Sequence, residues 1–308
     1  MSQPTYPTAT VTVLTYNGER YLDALLDAVE SQRYPAEFDV LVVDSGSTDR
    51  TLEIVAAHPR VRLHQIPNSE FAHGATRNLA AQLATGEVVV YVTHDAVPAS
   101  NDWLAGLIYP MADDERIAAV VGKQVPRAGC LPILKYDIQR VFQRLGPDYA
   151  ITVVSGSAVR DGEWDAAKFY SDANSAARRS VLMGPVPYPD VDYAEDQAFA
   201  GALLAAGYRK AYSPRGVVEH SNDLTLRTIG PRIAEEVVAL RRIGTVVPRL
   251  SVMGAVKQSV KWSTVDAGWI LIDRDLTALR KLGWLLANPW FHRAKWFGFR
   301  RGTRAPID

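Results

Sequence analysis

Between residues 9 and 121 the chain changes its period again and again, and this alternation narrows the possible folds more than any other property of the sequence. Residues 9–14 are rich in β-branched side chains, whereas 19–31 carry Leu22, Leu25, Leu26 and Val29 at helical spacing. Residues 39–43 read as a second strand and 48–57 as a helix, with Ser47 or Thr48 as its cap and Glu53 further in. Strands follow at 61–66, 88–92 and 117–121, and helices at 75–83, closed by Gly86, and 101–108. Strand and helix alternating through short connections predict βαβ units, a mainly parallel sheet and right-handed crossovers. The expected fold class is therefore α/β.

Beyond residue 125 the pattern weakens. Residues 131–144 look helical, but 156–174 are polar and glycine-containing with no firm period, and irregular stretches of that length are usually functional. Order returns with a helix at 194–206 stopped by Gly207, strands at 208–212 and 216–219, and a long helix at 224–243. The last sixty residues read as helices with little strand signal.

Bulk properties exclude several classes. Lys plus Arg and Asp plus Glu balance to a formal net charge of zero, whereas nucleic-acid binders usually carry a basic excess, so no nucleic-acid partner is expected. Cys130 is the one cysteine, which rules out an internal disulfide framework and a cysteine-based zinc site and fits a reducing compartment. The start shows no basic region followed by an apolar core, and no run is long enough to span a bilayer. The expected location is cytoplasmic, with peripheral contact on the inner face of the membrane left open.

Chemistry-bearing residues gather where the predicted strands end, and in open α/β sheets ligands bind beyond those carboxyl ends. Thr15-Tyr16-Asn17-Gly18-Glu19 follows the first strand; its backbone N–H groups can cradle a ring or a phosphate, or it is a simple Asn-Gly turn. Asp44 leaves the second strand in Asp44-Ser45-Gly46-Ser47-Thr48-Asp49. A carboxylate there can accept the N3–H of a uracil or thymine ring, while helix capping accounts for Ser47, Thr48 and Asp49 but not for Asp44. Arg77 offers a fork of donors to phosphate, and Asp95, ending the fourth strand in Thr93-His94-Asp95, offers hard oxygen to Mg²⁺ or Mn²⁺. The plain alternative is a surface ion pair between the two. Glu195-Asp196 opens a helix, where acidic residues also simply complement the dipole. His220 ends the last strand as a ligand or as a structural histidine.

Together these clusters resemble the family 2 glycosyltransferases, inverting enzymes of the GT-A fold, over roughly residues 8–222. The segments Phe71-Ala72-His73-Gly74-Ala75-Thr76-Arg77-Asn78, Val92-Thr93-His94-Asp95-Ala96, Ala194-Glu195-Asp196-Gln197 and Glu219-His220-Ser221 are most similar to the rhamnosyltransferase-like branch. The resemblance implies a nucleoside pocket lined by Thr15, Tyr16, Asn17 and Glu19, with Asp44 reading the base. It implies that Arg77 meets the diphosphate alongside Thr93 and His94, that Asp95 holds Mg²⁺ or Mn²⁺, and that His220 closes the metal shell. It makes Asp196 the catalytic base, with Glu195 its neighbour, and gives Asp172 and Asn174 to donor or acceptor hydroxyls unless they belong to a polar loop. The usual Asp-x-Asp is here Thr93-His94-Asp95, and His94 stands where the branch commonly has Gln. No Gln-x-x-Arg-Trp motif of processive members is present, which favours transfer of a single sugar.

The implied reaction moves L-rhamnose from dTDP-rhamnose to a saccharide acceptor, free or polyprenyl-linked, in cell-envelope glycan synthesis. UDP-hexose or GDP-mannose donors, and a sugar-nucleotide-binding protein without turnover, stay open as alternatives. The implied layout is a GT-A domain over residues 1–222, with a nucleotide-sugar half at 8–125 and an acceptor half at 126–222, then a helical extension at 223–308. In that extension the stretch between Asp275 and Asp308 holds no acidic residue; Arg280, Lys281, Arg293, Lys295, Arg300, Arg301 and Arg304 interleave with Trp284, Trp290, Phe291, Trp296, Phe297 and Phe299. Such composition suits an anionic membrane surface, a homodimer contact or a core-covering appendage.

Overall fold

The computed structural model of the chain describes residues 5–159, 164–191 and 193–307. Residues 160–163 of the stretch read as irregular, and residues 1–4 of the start read as leader-free, lie outside the described residues. In chain order the elements are β1 (Ala9–Thr15), α1 (Leu22–Glu30), β2 (Phe38–Asp44), α2 (Thr51–Ala57), β3 (Val61–Gln65), α3 (His73–Leu83), β4 (Val88–Thr93), β5 (Val97–Pro98), α4 (Trp103–Asp113) and β6 (Ile117–Val125). They continue with α5 (Pro132–Leu145), β7 (Thr152–Ser155), α6 (Trp164–Ala167), β8 (Asn174–Arg178), α7 (Arg179–Leu182), α8 (Glu195–Ala205), β9 (Arg209–Glu219), α9 (Ile229–Arg242), α10 (Val252–Ile272) and α11 (Ala278–Gly302). Two compact units result: residues up to Val125 with Val141–His220, and Pro126–Arg140 with the residues from Ser221 onward. The C-terminal helices thus group with Pro126–Arg140, a piece that a simple front-to-back division assigns to the acceptor half.

The first unit is built on a nine-stranded sheet in the order β3-β2-β1-β4-β8-β6-β9-β5, with β7 paired to β9. Its half β3-β2-β1-β4 is parallel, as the alternation predicts. Strands in such a sheet are covered on both faces, and in β1 both the apolar Ala9, Val11 and Val13 and the polar Thr10 and Thr12 are buried. The threonines are tolerated because their hydroxyls are used. Thr12 Oγ1 donates to Val90 O (2.8 Å), and Thr10 Oγ1 donates to Asp39 Oδ1 (2.6 Å) while accepting from the Thr85 and Gly86 amides. Gly86 does not close α3, which ends at Leu83. A Cβ at Gly86 would lie 2.6 Å from Ala9 Cα, so this glycine lets the turn rest directly on β1.

The other half of the sheet is mixed. β8, which carries no β-branched residue, runs antiparallel between β4 and β6, with Val92 opposite Asn174 and Val121 opposite Ser175. Its sequence, Asn-Ser-Ala-Ala-Arg, has none of the marks of a strand, yet Asn174, Ser175, Ala176 and Ala177 are buried. β9 is one strand rather than the two predicted: its pairing with β6 slips between Gly122 opposite Ser213 and Lys123 opposite Val217, which bulges out Pro214, Arg215 and Gly216. A bulge is where a sheet tolerates proline.

The second unit packs α9, α10 and α11 with Pro126–Arg140 around Ile133, Leu134, Ile229 and Phe291. Helices α9 and α11 approach closely, since a Cβ on Gly298 would lie 2.8 Å from Gly230 Cα. Asp266 is fully buried there, paired to Arg140 (2.6 Å) and His292 (2.9 Å). Burial raises the Asp266 carboxyl, but the His292 and Arg140 bonds outweigh it and hold it below its ordinary value.

Asn174 joins strands and helix through its side chain. Its Nδ2 donates to Lys123 O (2.9 Å) and Gly216 O (2.7 Å), and its Oδ1 accepts from Trp103 Nε1 (2.9 Å). Leaving such buried groups unpaired costs about 1–3 kcal/mol each. Asn174→Ala is expected to lower the unfolding free energy by roughly 3 kcal/mol or more in urea titration. An unchanged midpoint would show that these bonds do not hold the sheet together.

Candidate active site

Strand register aligns three of the predicted site residues. Thr15 lies opposite Asp44, and Leu14 lies opposite Thr93, so β1, β2 and β4 release their chains at one edge of the sheet. The two loops that follow β1 and β2 brace each other. Asn17 N donates to Ser47 Oγ (2.9 Å), Thr48 N to Asn17 Oδ1 (2.9 Å), Glu19 N to Asp49 Oδ2 (3.1 Å) and Arg50 N to Glu19 Oε2 (3.2 Å). Asn17 adopts a left-handed backbone (φ 50°), which Asn tolerates better than most residues. The N-cap position of α2 falls on Arg50, with no side-chain cap; the preceding Asp49 accepts from Thr51 N (3.0 Å) through Oδ1, and Ser47 and Thr48, the predicted caps, bond to Asn17 instead.

Asp44 departs from its expected role. It is fully buried, and its carboxylate accepts from Gly46 N (3.0 Å), Ser47 N (3.1 Å) and the Ser47 hydroxyl. These three bonds hold the loop in shape from within. Thr15 is buried as well, whereas Tyr16 is 45% exposed and Glu19 lies at the surface. His94 touches this loop pair: a Cβ on Gly18 would lie 3.2 Å from its ring.

At the end of β4, Asp95 meets the end of β9. Its Oδ2 is 3.4 Å from His220 Nε2. Burial pushes the Asp95 carboxyl up, but His220, Thr93 and His94 outweigh it and hold the group well below the usual carboxylate range. Gln124, on β6, orients the histidine. Its Nε2 donates to Ser171 Oγ (3.0 Å), which leaves Oε1 to accept from His220 Nδ1–H (2.9 Å). With that proton on Nδ1, Nε2 faces the Asp95 carboxylate, and a cation held between the two would take the place of a second ring proton. No cluster of three or more His, Cys, Asp or Glu side chains suited to a metal occurs among the described residues. Asp95 and His220 are ligand types that a divalent ion accepts, and an ion held by these two alone would need its remaining ligands from outside the protein.

The third cluster is buried and ionic. Arg77, on α3, places Nε 2.6 Å from Asp172 Oδ2 and Nη1 2.7 Å from Glu195 Oε1, and Nη1 also donates to His73 O (3.0 Å). Asp172 further accepts from Ser175 Oγ (2.6 Å) and Tyr188 OH (2.8 Å). These contacts correct three expectations. Arg77 is 7% exposed and turned to carboxylates, so it is a support rather than a phosphate ligand, and it does not pair with Asp95. Asp172 and Asn174, the expected hydroxyl ligands, are buried with their polar atoms committed to protein partners.

Beside this cluster α8 begins. Ala194 precedes it in a left-handed conformation (φ 63°), Glu195 is buried against Arg77, and Asp196 keeps partial exposure. Asp196 Oδ1 accepts from Gln197 N (2.7 Å). Burial, then the Asp172 and Glu195 carboxylates, raise the Asp196 carboxyl well above its ordinary value despite Arg77 and the helix end. Two opposed tendencies are legible in the sequence here, the helix dipole and the neighbouring Glu195; burial and like charge prevail. A partly exposed carboxylate with a raised pKa suits proton transfer.

Gln124 and Tyr188 are the site residues that the sequence hides. Gln124 lies beyond the predicted end of its strand at residue 121, and Tyr188 lies between Pro187 and Pro189, where no period exists to mark it. The polar tail Lys123-Gln124 on an otherwise apolar strand is the one available signal.

Comparison with known proteins agrees with this geometry. The family model "Glycosyl transferase family 2" matches residues 10–182. The O-antigen chain rhamnosyltransferase RfbN of Salmonella typhimurium is 32% identical over 221 residues, covering 71% of this chain and 68% of that protein. WbaN of Salmonella anatum, also an O-antigen chain rhamnosyltransferase, is 30% identical over 225 residues, covering 72% and 68%. Among solved structures, a mannosyltransferase from Pyrobaculum calidifontis in complex with GDP-Man and Mn²⁺ aligns with a TM-score of 0.59 at 22% identity, covering 94% of this chain and 87% of that one. That likeness concerns the fold, which is GT-A, with a mixed sheet in place of the mainly parallel one predicted. The chain belongs to glycosyl transferase family 2, and within it is rhamnosyltransferase-like.

Proposed function

We propose that this protein transfers one L-rhamnose from dTDP-rhamnose, with inversion, to a saccharide or polyprenyl-linked saccharide acceptor in cell-envelope glycan synthesis. The observation that carries the reading is Asp196. It is a partly exposed carboxylate with raised proton affinity, beside a buried ion network and at the start of α8. The choice of donor and acceptor is supported by the two O-antigen chain rhamnosyltransferases that the chain matches over most of its length.

In this mechanism Asp196 takes the proton of the acceptor hydroxyl as that oxygen bonds to the anomeric carbon. The bond from that carbon to the diphosphate breaks on the opposite side, so configuration inverts without a covalent enzyme intermediate. Asp95 and His220 would hold Mg²⁺ or Mn²⁺, which when bound neutralises charge on the diphosphate. Gln124 keeps the His220 ring in place for that task. Tyr16 offers an exposed ring against which the nucleoside base can stack, next to Asn17 and Glu19, while Asp44 shapes the loop from beneath. Glu195 and Arg77 act as positioning residues: they fix the first turn of α8 and so the place of Asp196.

Asp196→Asn is expected to keep the rise in melting temperature that dTDP-rhamnose with Mn²⁺ causes, since a ligand of the folded state stabilises it. Transfer should fall by about 10²–10⁴-fold. Near-normal turnover in this variant overturns the assignment, and a wild type that binds the donor but releases no nucleoside diphosphate identifies a binding protein without turnover.

A pH profile tests the coupling to Glu195. Asp196 works as a base only when deprotonated, so kcat/KM should rise with pH through its apparent pKa, which stands above the ordinary carboxylate value. Glu195→Gln removes a like charge that raises this pKa and frees Arg77 to lower it. The acidic limb is therefore expected to move to lower pH, and a limb that stays in place or moves up would refute the coupling.

A further inference from the structure

α10 and α11 carry their exposed apolar residues on the faces turned away from the core. On α11, Leu279 (80% exposed), Leu282, Leu286 (69%) and Trp290 recur at spacings of three and four, while Asn288, Phe291 and His292 are buried on the opposite side. On α10, Met253, Val256 and Val260 (62% exposed) form the same kind of stripe, opposite the buried Ala255, Ser259, Asp266 and Ile270. Soluble monomers rarely expose a long apolar face of this kind, and such faces mark an interaction surface. The residues differ from those that composition suggests: Phe291 is core, and of the named aromatics Trp290 is the exposed one.

Charge decides what covers this face. Lys257 and Lys261 on α10 and Arg280 and Arg293 on α11 are exposed. The two helices contain one carboxylate between them, Asp266, and it is buried in its pair with Arg140 and His292. In the turn between them, Asp275 is paired to Lys135 at 2.6 Å. A second copy of the chain would set like charges against each other across apolar stripes. A bilayer surface with anionic headgroups satisfies both features, because apolar side chains enter the headgroup boundary while Lys and Arg meet phosphate. No helix among the described residues is long and apolar enough to cross a membrane, so the pair would lie in the interface plane.

We infer that the α10–α11 face is a peripheral membrane-docking surface for anionic lipid. This rests on exposure and charge alone and is independent of the donor or acceptor. The test is flotation of the full chain with phosphatidylcholine vesicles, with or without about 30% phosphatidylglycerol, at low and high salt. The protein should float with the anionic vesicles roughly tenfold more than with the neutral ones and lose that binding in high salt. Leu282→Glu with Leu286→Glu, and separately Val256→Glu with Val260→Glu, should abolish flotation while leaving the thermal midpoint and the donor-induced shift unchanged. The inference is overturned if the wild type does not float, if it floats equally on neutral vesicles, or if folded variants float like the wild type. It is also overturned if sedimentation shows a wild-type dimer that either double variant breaks. If both variants unfold, the lipid and salt dependence of the wild type decides.

Discussion

The guanidinium of Arg77 lies buried between two carboxylates, and the placement of the α8 entrance hangs on that contact. Arg77 comes from α3, Asp172 from the chain entering β8, and Glu195 from the first residue of α8, so one side chain fastens three segments distant in sequence. Burying these charges costs desolvation, which the ion pairs offset only because hydrogen bonds satisfy the remaining lone pairs. Ser175 and Tyr188 supply those bonds at Asp172, and Tyr188 is itself fixed by stacking on Phe199 at 4.5 Å and by the Asn78 side chain. Removing one partner would strand a buried charge, typically at about 3–5 kcal/mol. The network therefore specifies one arrangement of the α8 entrance, and with it one place for Asp196.

That same network sets the chemistry of the neighbouring carboxylate. Burial comes first, and the two carboxylates outnumber the single guanidinium, so the Asp196 proton is held more tightly than in water. Asp95 shows the reverse outcome of the same physics. It too is largely buried, yet His220, Thr93 and His94 outweigh burial and hold its carboxyl well below the usual range. Two partly buried carboxylates are thus pushed apart in proton affinity.

The helical unit repeats the pattern on a smaller scale. Asp266, Arg140 and His292 form a buried ionic centre that pins α10 to α11 and to the chain before residue 141, while the outward faces of both helices stay apolar. A helix pair with a buried ionic centre and exposed apolar stripes between basic residues departs from the usual order for a soluble helix pair.

Sequence alone determined the α/β class, the parallel half of the sheet and the family, because apolar period and strand-end motifs are local properties. The ends of β1, β2 and β4 and the start of α8 fall within a residue or two of their predicted places, which put Asp95 and Asp196 at element termini before any contact was known. β8 stayed hidden because its small and polar residues owe their extended form to the strands on either side rather than to their own propensity. Tertiary structure alone decided which partner each polar group takes. Asp44 and Asp95 both end parallel strands, yet one is consumed by the amides of its own loop and the other faces His220 from 125 positions along the chain. A motif names the donors and acceptors available; only the packed chain, by requiring every buried charge to find a partner, settles where each is used.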